Sequence, residues 1–162
     1  MPEAKASWNR DANLHLTLKF LGEIPQASVA DFSNAASRAV VGLTPFSIRL
    51  EQAGAFPKHG QPRVLWMGIT DCSGGLGELH ARLEDESGRI GFKKEGRPFH
   101  PHLTIARVRQ PQRARTLAAA HQQLEFTPAE IDVSELLVIR SELSSSGSKY
   151  TVVSRHAFSG VR

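Results

Sequence analysis

The chain has 162 residues, enough for one domain or two small lobes sharing a core, and its 40% hydrophobic content suffices for a globular interior. No apolar run approaches the roughly 20 residues of a membrane span, and the single cysteine, Cys72, excludes an internal disulfide and a cysteine-built zinc site. The excess of 20 Lys and Arg over 16 Asp and Glu leans mildly toward phosphate-bearing partners, and the first residues lack the pattern of a secretion signal, so the cytoplasm is expected.

In chain order, Asn13 to Leu21 alternates as a strand that stops at Gly22. Pro25 can open a helix, because its missing amide proton costs nothing in the first turn. From Ala27 to Val41, apolar Val29, Phe32, Ala36 and Val40 keep helical spacing. Phe46 to Glu51 alternates as a strand, and the more uniformly apolar Arg63 to Thr70 reads as a central one. Gly74 to Ser87 carries Leu76, Leu79, His80 and Leu83 on one helical face and ends at Gly88. His102 to Val108 is a further strand, and Pro111 opens a helix through Leu117, Ala118, His121 and Leu124. Two alternating stretches close the chain, Ile131 through Ile139 to Leu143 and Tyr150 to Phe158, with a hairpin turn at Ser144 to Ser148.

His15-Leu16-Thr17-Leu18 returns as His102-Leu103-Thr104-Ile105. Elements downstream of each copy recur at nearly the same offset, which predicts an internal duplication. The expected fold is α+β and bilobal: two pseudo-twofold-related lobes of mostly antiparallel strands, helices on the outer faces and a central cleft. A first half of about 1–90 and a second of about 91–162 would form one domain.

Each copy points His and Thr one way and its apolar pair the other. Two imidazoles about one small anion can activate a water and protonate a departing alkoxide. Thr hydroxyls on the same face can donate hydrogen bonds to non-bridging phosphate oxygens. Neither task needs a metal, and no cofactor is expected. A lone His-x-Thr would carry no such implication; the paired copies do.

His-Leu-Thr-Leu-Lys-Phe-Leu-Gly (15–22) and Phe-His-Pro-His-Leu-Thr-Ile-Ala-Arg (99–107) resemble the two signature motifs of the 2H phosphoesterase superfamily. Within it they most resemble the bacterial RNA 2′,3′-cyclic phosphodiesterase branch, also called 2′-5′ RNA ligase. Trp8, the Pro62-Arg-Val-Leu-Trp66 strand and Pro101 share that resemblance. It implies a bilobal fold and metal-independent opening of an RNA 2′,3′-cyclic phosphate to a 2′-phosphomonoester. It places His15 and His102 as the catalytic pair, with His15 favoured as acid and His102 as base, and Thr17 and Thr104 on the phosphate. Phe20 and Arg107, five residues after each histidine, would contact the nucleotide. Strict alternation sets both on the wrong face, so Phe20 needs a bulge or a strand end near Lys19; core packing is its alternative. Family members begin earlier, with a strand and helix before the Trp, and their lack here implies lower stability or self-association of an otherwise monomeric chain.

The partner implied is an RNA or nucleotide with a 2′,3′-cyclic phosphate end, with no membrane. A related enzyme acting on 2′-5′ oligoadenylate or a cyclic-phosphate nucleotide, and a non-catalytic RNA-binding module, are the competing readings. His100-Pro-His102 resembles a metal-binding fragment without a third ligand. His59 and His156 read as surface residues, and His80 and His121 as packing residues. Arg89, Lys93, Lys94, Arg97, Arg63 and Arg109 are candidates for lining an RNA approach.

Overall fold

A computed structural model describes residues 5–110, 112–144 and 147–160. Its strands are β1 (Ala6–Trp8), β2 (Phe46–Phe56), β3 (Val64–Thr70), β4 (His102–Val108), β5 (Ala129–Val133), β6 (Glu135–Ser144) and β7 (Gly147–Ala157). Its helices are α1 (Gln26–Ala39), α2 (Gly75–Arg89) and α3 (Ala114–Gln122). The fold is α+β. A five-stranded sheet has the order β1-β4-β3-β2-β5, and β6 and β7 form a separate antiparallel hairpin. Among the described residues no helix is long and apolar enough to cross a membrane.

Two compact units divide the chain, and they are not its two halves. The first comprises Met1–Leu18, Arg49–Thr70 and Phe99–Ile131; the second comprises Lys19–Ile48, Asp71–Pro98 and Asp132–Arg162. Both His-x-Thr copies fall in the first unit, so the imidazoles do not come from opposite lobes as the repeat implied.

In the first unit, β1, β4, β3 and β2 pair antiparallel. Ala55, Leu65 and Ala106 turn to one side and bury themselves with Ala118 of α3, with Ala6, Val108 and Leu117 packed around them. Small residues at these positions let the helix lie close on the sheet. His121 of α3 is buried and donates from Nε2 to the Trp66 carbonyl (3.0 Å), which ties helix to strand.

In the second unit, α1 packs on α2 and on the β6–β7 hairpin. Phe32, Ala36, Val40, Leu76, Leu79 and Leu83 are buried at the helical spacing read from sequence, Ala35 and Ala39 are buried beside them, and Val29 and His80 are half-buried. Asp71 stabilises the start of α2: its carboxylate accepts the amides of Ser73, Gly74 and Leu76 at 2.7–3.1 Å.

Several sequence expectations need correction. The first motif is not a strand. A 3-10 turn occupies Asp11–Asn13, Leu16 makes one isolated bridge to Leu103, and the chain bends at Leu18. The reason is competition for one strand edge. β1 already pairs with Ala106 to Val108, Asn9 N–H bonds the Ile105 carbonyl (2.8 Å), and Asn9 Nδ2 bonds the Thr104 carbonyl (2.8 Å). Little of β4 beyond Leu103 is left for the motif. The stretch from Ile131 also breaks at Ser134 into β5 and β6. Pro111 and the turn residues 145 and 146 lie outside the described residues.

Just past the bend, Lys19 enters a buried ion pair. Its Nζ lies 2.7 Å from Glu84 Oε1 and 2.9 Å from the Lys93 carbonyl, while Glu84 Oε2 accepts the Glu95 amide at 2.9 Å. Both side chains are nearly closed to solvent. Burial pulls the Glu84 carboxyl upward, but the Lys19 bond, the Glu95 amide and the charges of Lys19 and His80 outweigh it and hold Glu84 below the ordinary range. A depressed carboxyl stabilises the fold above its ordinary titration range, and that stabilisation disappears as pH falls through the lowered value. Lys19→Met should therefore cost about 3 kcal/mol in urea unfolding at neutral pH, and adding Glu84→Leu should recover most of it. Acidification should shrink the gap between wild type and Glu84→Gln; a gap independent of pH would refute the coupling.

Candidate active site

The Leu16–Leu103 bridge is antiparallel. Both leucines of the pair point to one face, so His15, Thr17, His102 and Thr104 all point to the other. Continuing this register by one residue each way sets His15 beside Thr104 and Thr17 beside His102. Each histidine is thus neighbour to the threonine of the opposite copy, with a local twofold through the bridge. Directly opposed side chains begin about 5 Å apart at Cβ and diagonal ones about 7–8 Å apart.

Each imidazole is held the same way. His15 Nδ1 lies 2.7 Å from the Asn13 carbonyl, and His102 Nδ1 lies 2.8 Å from the His100 carbonyl. A carbonyl only accepts, so Nδ1 carries the proton in both rings. The supporting group is the main chain two residues before each histidine. That symmetry is invisible in side-chain types, and sequence reasoning missed it.

The floor of the site is aromatic. The His102 ring meets the Phe56 ring edge-on at 5.1 Å and the Trp66 ring at 6.4 Å, and Phe56 and Trp66 lie 5.1 Å apart. His100 joins them, 5.6 Å from Phe56 and 5.3 Å from Trp66. The indole lies flat because Gly54 faces it; a Cβ at that position would sit 2.1 Å from Trp66 Cζ2. Gly68, paired with His102, makes room for the Glu51 carbonyl, which a Cβ there would meet at 2.7 Å. Sequence reading had marked Trp66 as part of a central strand that shares the family resemblance, with no place in the site. The clamp residue Asn9 and the spacer Gly54 gave no signal at all.

Arg107 stands on the same face as His102, and a bulge makes this so. Trp66 pairs with Thr104 and Leu65 with Ala106, so β4 carries Ile105 as one extra residue. Leu65 and Ala106 both face the core beneath α3. Past the bulge Arg107 pairs with Val64 and returns to the Trp66 and Thr104 side. Its side chain is exposed. Phe20 belongs to the second unit, and at 84% exposure its ring is not a core residue. The bend at Leu18 ends the alternation that had set it on the wrong face.

The other histidines take lesser places. His156, expected at the surface, is half-buried, with Nε2 2.9 Å from Ser154 Oγ, and burial lowers its pKa. His80 is also lowered, chiefly by burial, with Glu84 opposing and Lys19 adding to the effect. Among the described residues no three His, Cys, Asp or Glu side chains cluster as metal ligands would.

If the carbonyl bonds set the tautomers, nitrogen-15 side-chain spectra taken well above neutral pH will show both His15 and His102 protonated at Nδ1. A proton on Nε2 in either ring would contradict the arrangement.

Comparison with known proteins bears on this geometry. Residues 4–144 match the family model described as the 2′-5′ RNA ligase superfamily. Among curated relatives, an RNA 2′,3′-cyclic phosphodiesterase of Thermotoga maritima is 32% identical over 96% of this chain and 81% of its own length. One of Aeropyrum pernix is 34% identical over 86% of this chain and 79% of its own. Among solved structures, TT0787 of Thermus thermophilus superposes with a TM-score of 0.80 at 27% identity, covering 99% of this chain and 86% of that one. LigT of E. coli complexed with 3′-AMP gives 0.73 at 27% identity, over 98% of this chain and 84% of that one.

Proposed function

Because this chain belongs to the 2′-5′ RNA ligase superfamily, we propose that it opens RNA 2′,3′-cyclic phosphate ends to 2′-phosphomonoesters by two-histidine acid–base catalysis. The relatives named as RNA 2′,3′-cyclic phosphodiesterases, at about a third identity over most of the chain, support a 2′,3′-cyclic phosphodiesterase activity. The observation that carries the mechanism is the single antiparallel bridge that turns both His-x-Thr pairs to one face.

In the proposed step His102 Nε2 removes a proton from water as its oxygen bonds to phosphorus. The bond from phosphorus to the 3′-oxygen breaks, and His15, protonated at the outset, gives its Nε2 proton to that oxygen. The Thr17 and Thr104 hydroxyls donate to the non-bridging oxygens, where charge gathers in the transition state. All proton transfers run through side chains, so the chemistry calls for no Lewis acid. With the 5′-hydroxyl of a second RNA in place of water, the same steps would form a 2′-5′ phosphodiester as the bond from phosphorus to the 3′-oxygen breaks.

The register supports one division between acid and base. His15 neighbours Thr104, at the end of the site from which β4 continues to Arg107; His102 neighbours Thr17 at the other end. If the nucleoside lies over Arg107, its 3′-oxygen departs on the His15 side, and an in-line water enters beside His102. Phe20 and Arg107 are the proposed nucleotide contacts, since an exposed ring and an exposed guanidinium both offer flat faces for a base.

With a 2′,3′-cyclic-phosphate oligonucleotide and excess chelator, wild type should release a 2′-phosphate end. His15→Ala and His102→Ala should each lose about a hundred- to ten-thousandfold in kcat, and Thr17→Val and Thr104→Val about tenfold or more. Turnover abolished by the chelator would sink the metal-independent step. On a phosphodiester with a nitrophenolate leaving group, which departs without protonation, His15→Ala should regain rate relative to wild type and His102→Ala should not. The opposite pattern would reverse the roles.

A further inference from the structure

We infer that Arg109 and Lys5 form a second phosphate subsite, which holds the phosphodiester on the 5′ side of the terminal nucleoside and makes an RNA end a better substrate than a free nucleotide. The inference rests on the function proposed above and deepens it.

The ladder between β1 and β4 continues past Ala6 and Val108, because the Arg109 amide donates to the Lys5 carbonyl at 2.8 Å. Lys5 and Arg109 are therefore opposed across the strands, as Ser7 and Arg107 are. By alternation all four side chains share the face that the bulge at Ile105 returns to Thr104. Without the bulge Arg107 and Arg109 would point into the core beneath α3, so the kink creates the track. From Thr104 the face runs to Arg107 in about two strand steps and to Arg109 in about two more, roughly 13 Å in all. A nucleoside whose cyclic phosphate sits on the threonine pair spans the first interval, which brings its 5′-phosphate near Arg107. The Arg109 side chain leans back to that place, because its Nε bonds Ser7, the residue paired with Arg107.

Arg109 is already aimed. Its Nε donates to Ser7 Oγ at 2.6 Å, which leaves the terminal nitrogens of its fork for a ligand. Lys5, Arg107 and Arg109 are all exposed, and among the described residues none of the three forms an ion pair with a carboxylate. Cations without a carboxylate partner among the described residues, lined up behind the proposed phosphate site, suit a polyanion. Charged donors to a sugar–phosphate chain position it without reading its bases, so the preference is for chain length and is indifferent to sequence.

The test compares a nucleoside 2′,3′-cyclic phosphate, which has no 5′-phosphate, with a dinucleotide ending in the same cyclic nucleotide. Wild type should favour the dinucleotide in kcat/KM by about tenfold or more, the scale of one charge-assisted contact. Arg109→Gln should erase most of that preference, and Arg109→Lys should retain part of it, because charge survives while the fork is lost. The salt dependence of kcat/KM on the dinucleotide should flatten in Arg109→Gln by about 0.7 in log–log slope. Equal wild-type rates on the two substrates, or an Arg109→Gln that slows both alike, would overturn the subsite and leave the proposed function standing. Wild type that opens neither substrate would instead bring down the functional reading itself.

Discussion

One antiparallel contact between two leucines organises the site. Leu16 and Leu103 face each other across a single bridge, and the two-residue period of extended chain does the rest. A slip of one residue in either segment would turn one His-x-Thr pair toward the opposite face. The segment carrying the first motif is too short to specify register by a ladder of its own. The neighbouring contacts supply that definition: Asn9 grips β4 twice, at Ile105 and Thr104, and delivers the chain to Leu16 from a fixed point. On the far side, Lys19 anchors in a buried pair with Glu84.

Around that contact the sheet departs from regularity where the chemistry needs it. Bulges both disrupt pairing and re-aim side chains, and the one at Ile105 does the second: it restores Arg107 to the catalytic face after Ala106 has been spent on the core. Gly54 removes a side chain beside Trp66, so an indole can lie on the sheet, and Gly68 beside His102 makes room for the Glu51 carbonyl. Rings packed edge-on and a main-chain acceptor at each Nδ1 leave the imidazoles few alternative rotamers. Such preorganisation means donors and acceptors need not rearrange as charge develops.

A local twofold relates the two motifs, yet their surroundings differ. Aromatic rings back His102, and Arg107 follows Thr104 along β4, toward the other end. That asymmetry gives direction to a site whose chemistry is otherwise reversible. It ties the identity of the acid to where the nucleoside lies, and it continues along β4 and β1 as an exposed line of cations. Function and fold thus separate cleanly: the antiparallel framework is common to the family, and the chain's own polar groups along one strand face decide what the framework holds.

The sequence by itself determined most of the elements and pointed to the chemistry proposed above. The repeated His-x-Thr marks the candidate reactive groups, and helical and strand periods locate α1, α2, β3, β4 and β7 closely, because these follow from which side chains must meet a core. The positions of Phe20 and Arg107 relative to their faces were not legible. Alternation alone misplaces both, since a bulge and a bend are properties of pairing between distant strands and leave no mark in local composition. The first motif reads as a strand but cannot complete one, because β1 and Asn9 already occupy the edge it would need. Division of the chain into interleaved units, and the placement of both motifs in the same one, likewise belonged to tertiary structure. Periodicity reports what each residue must face, whereas only the packed sheet decides which neighbour it faces.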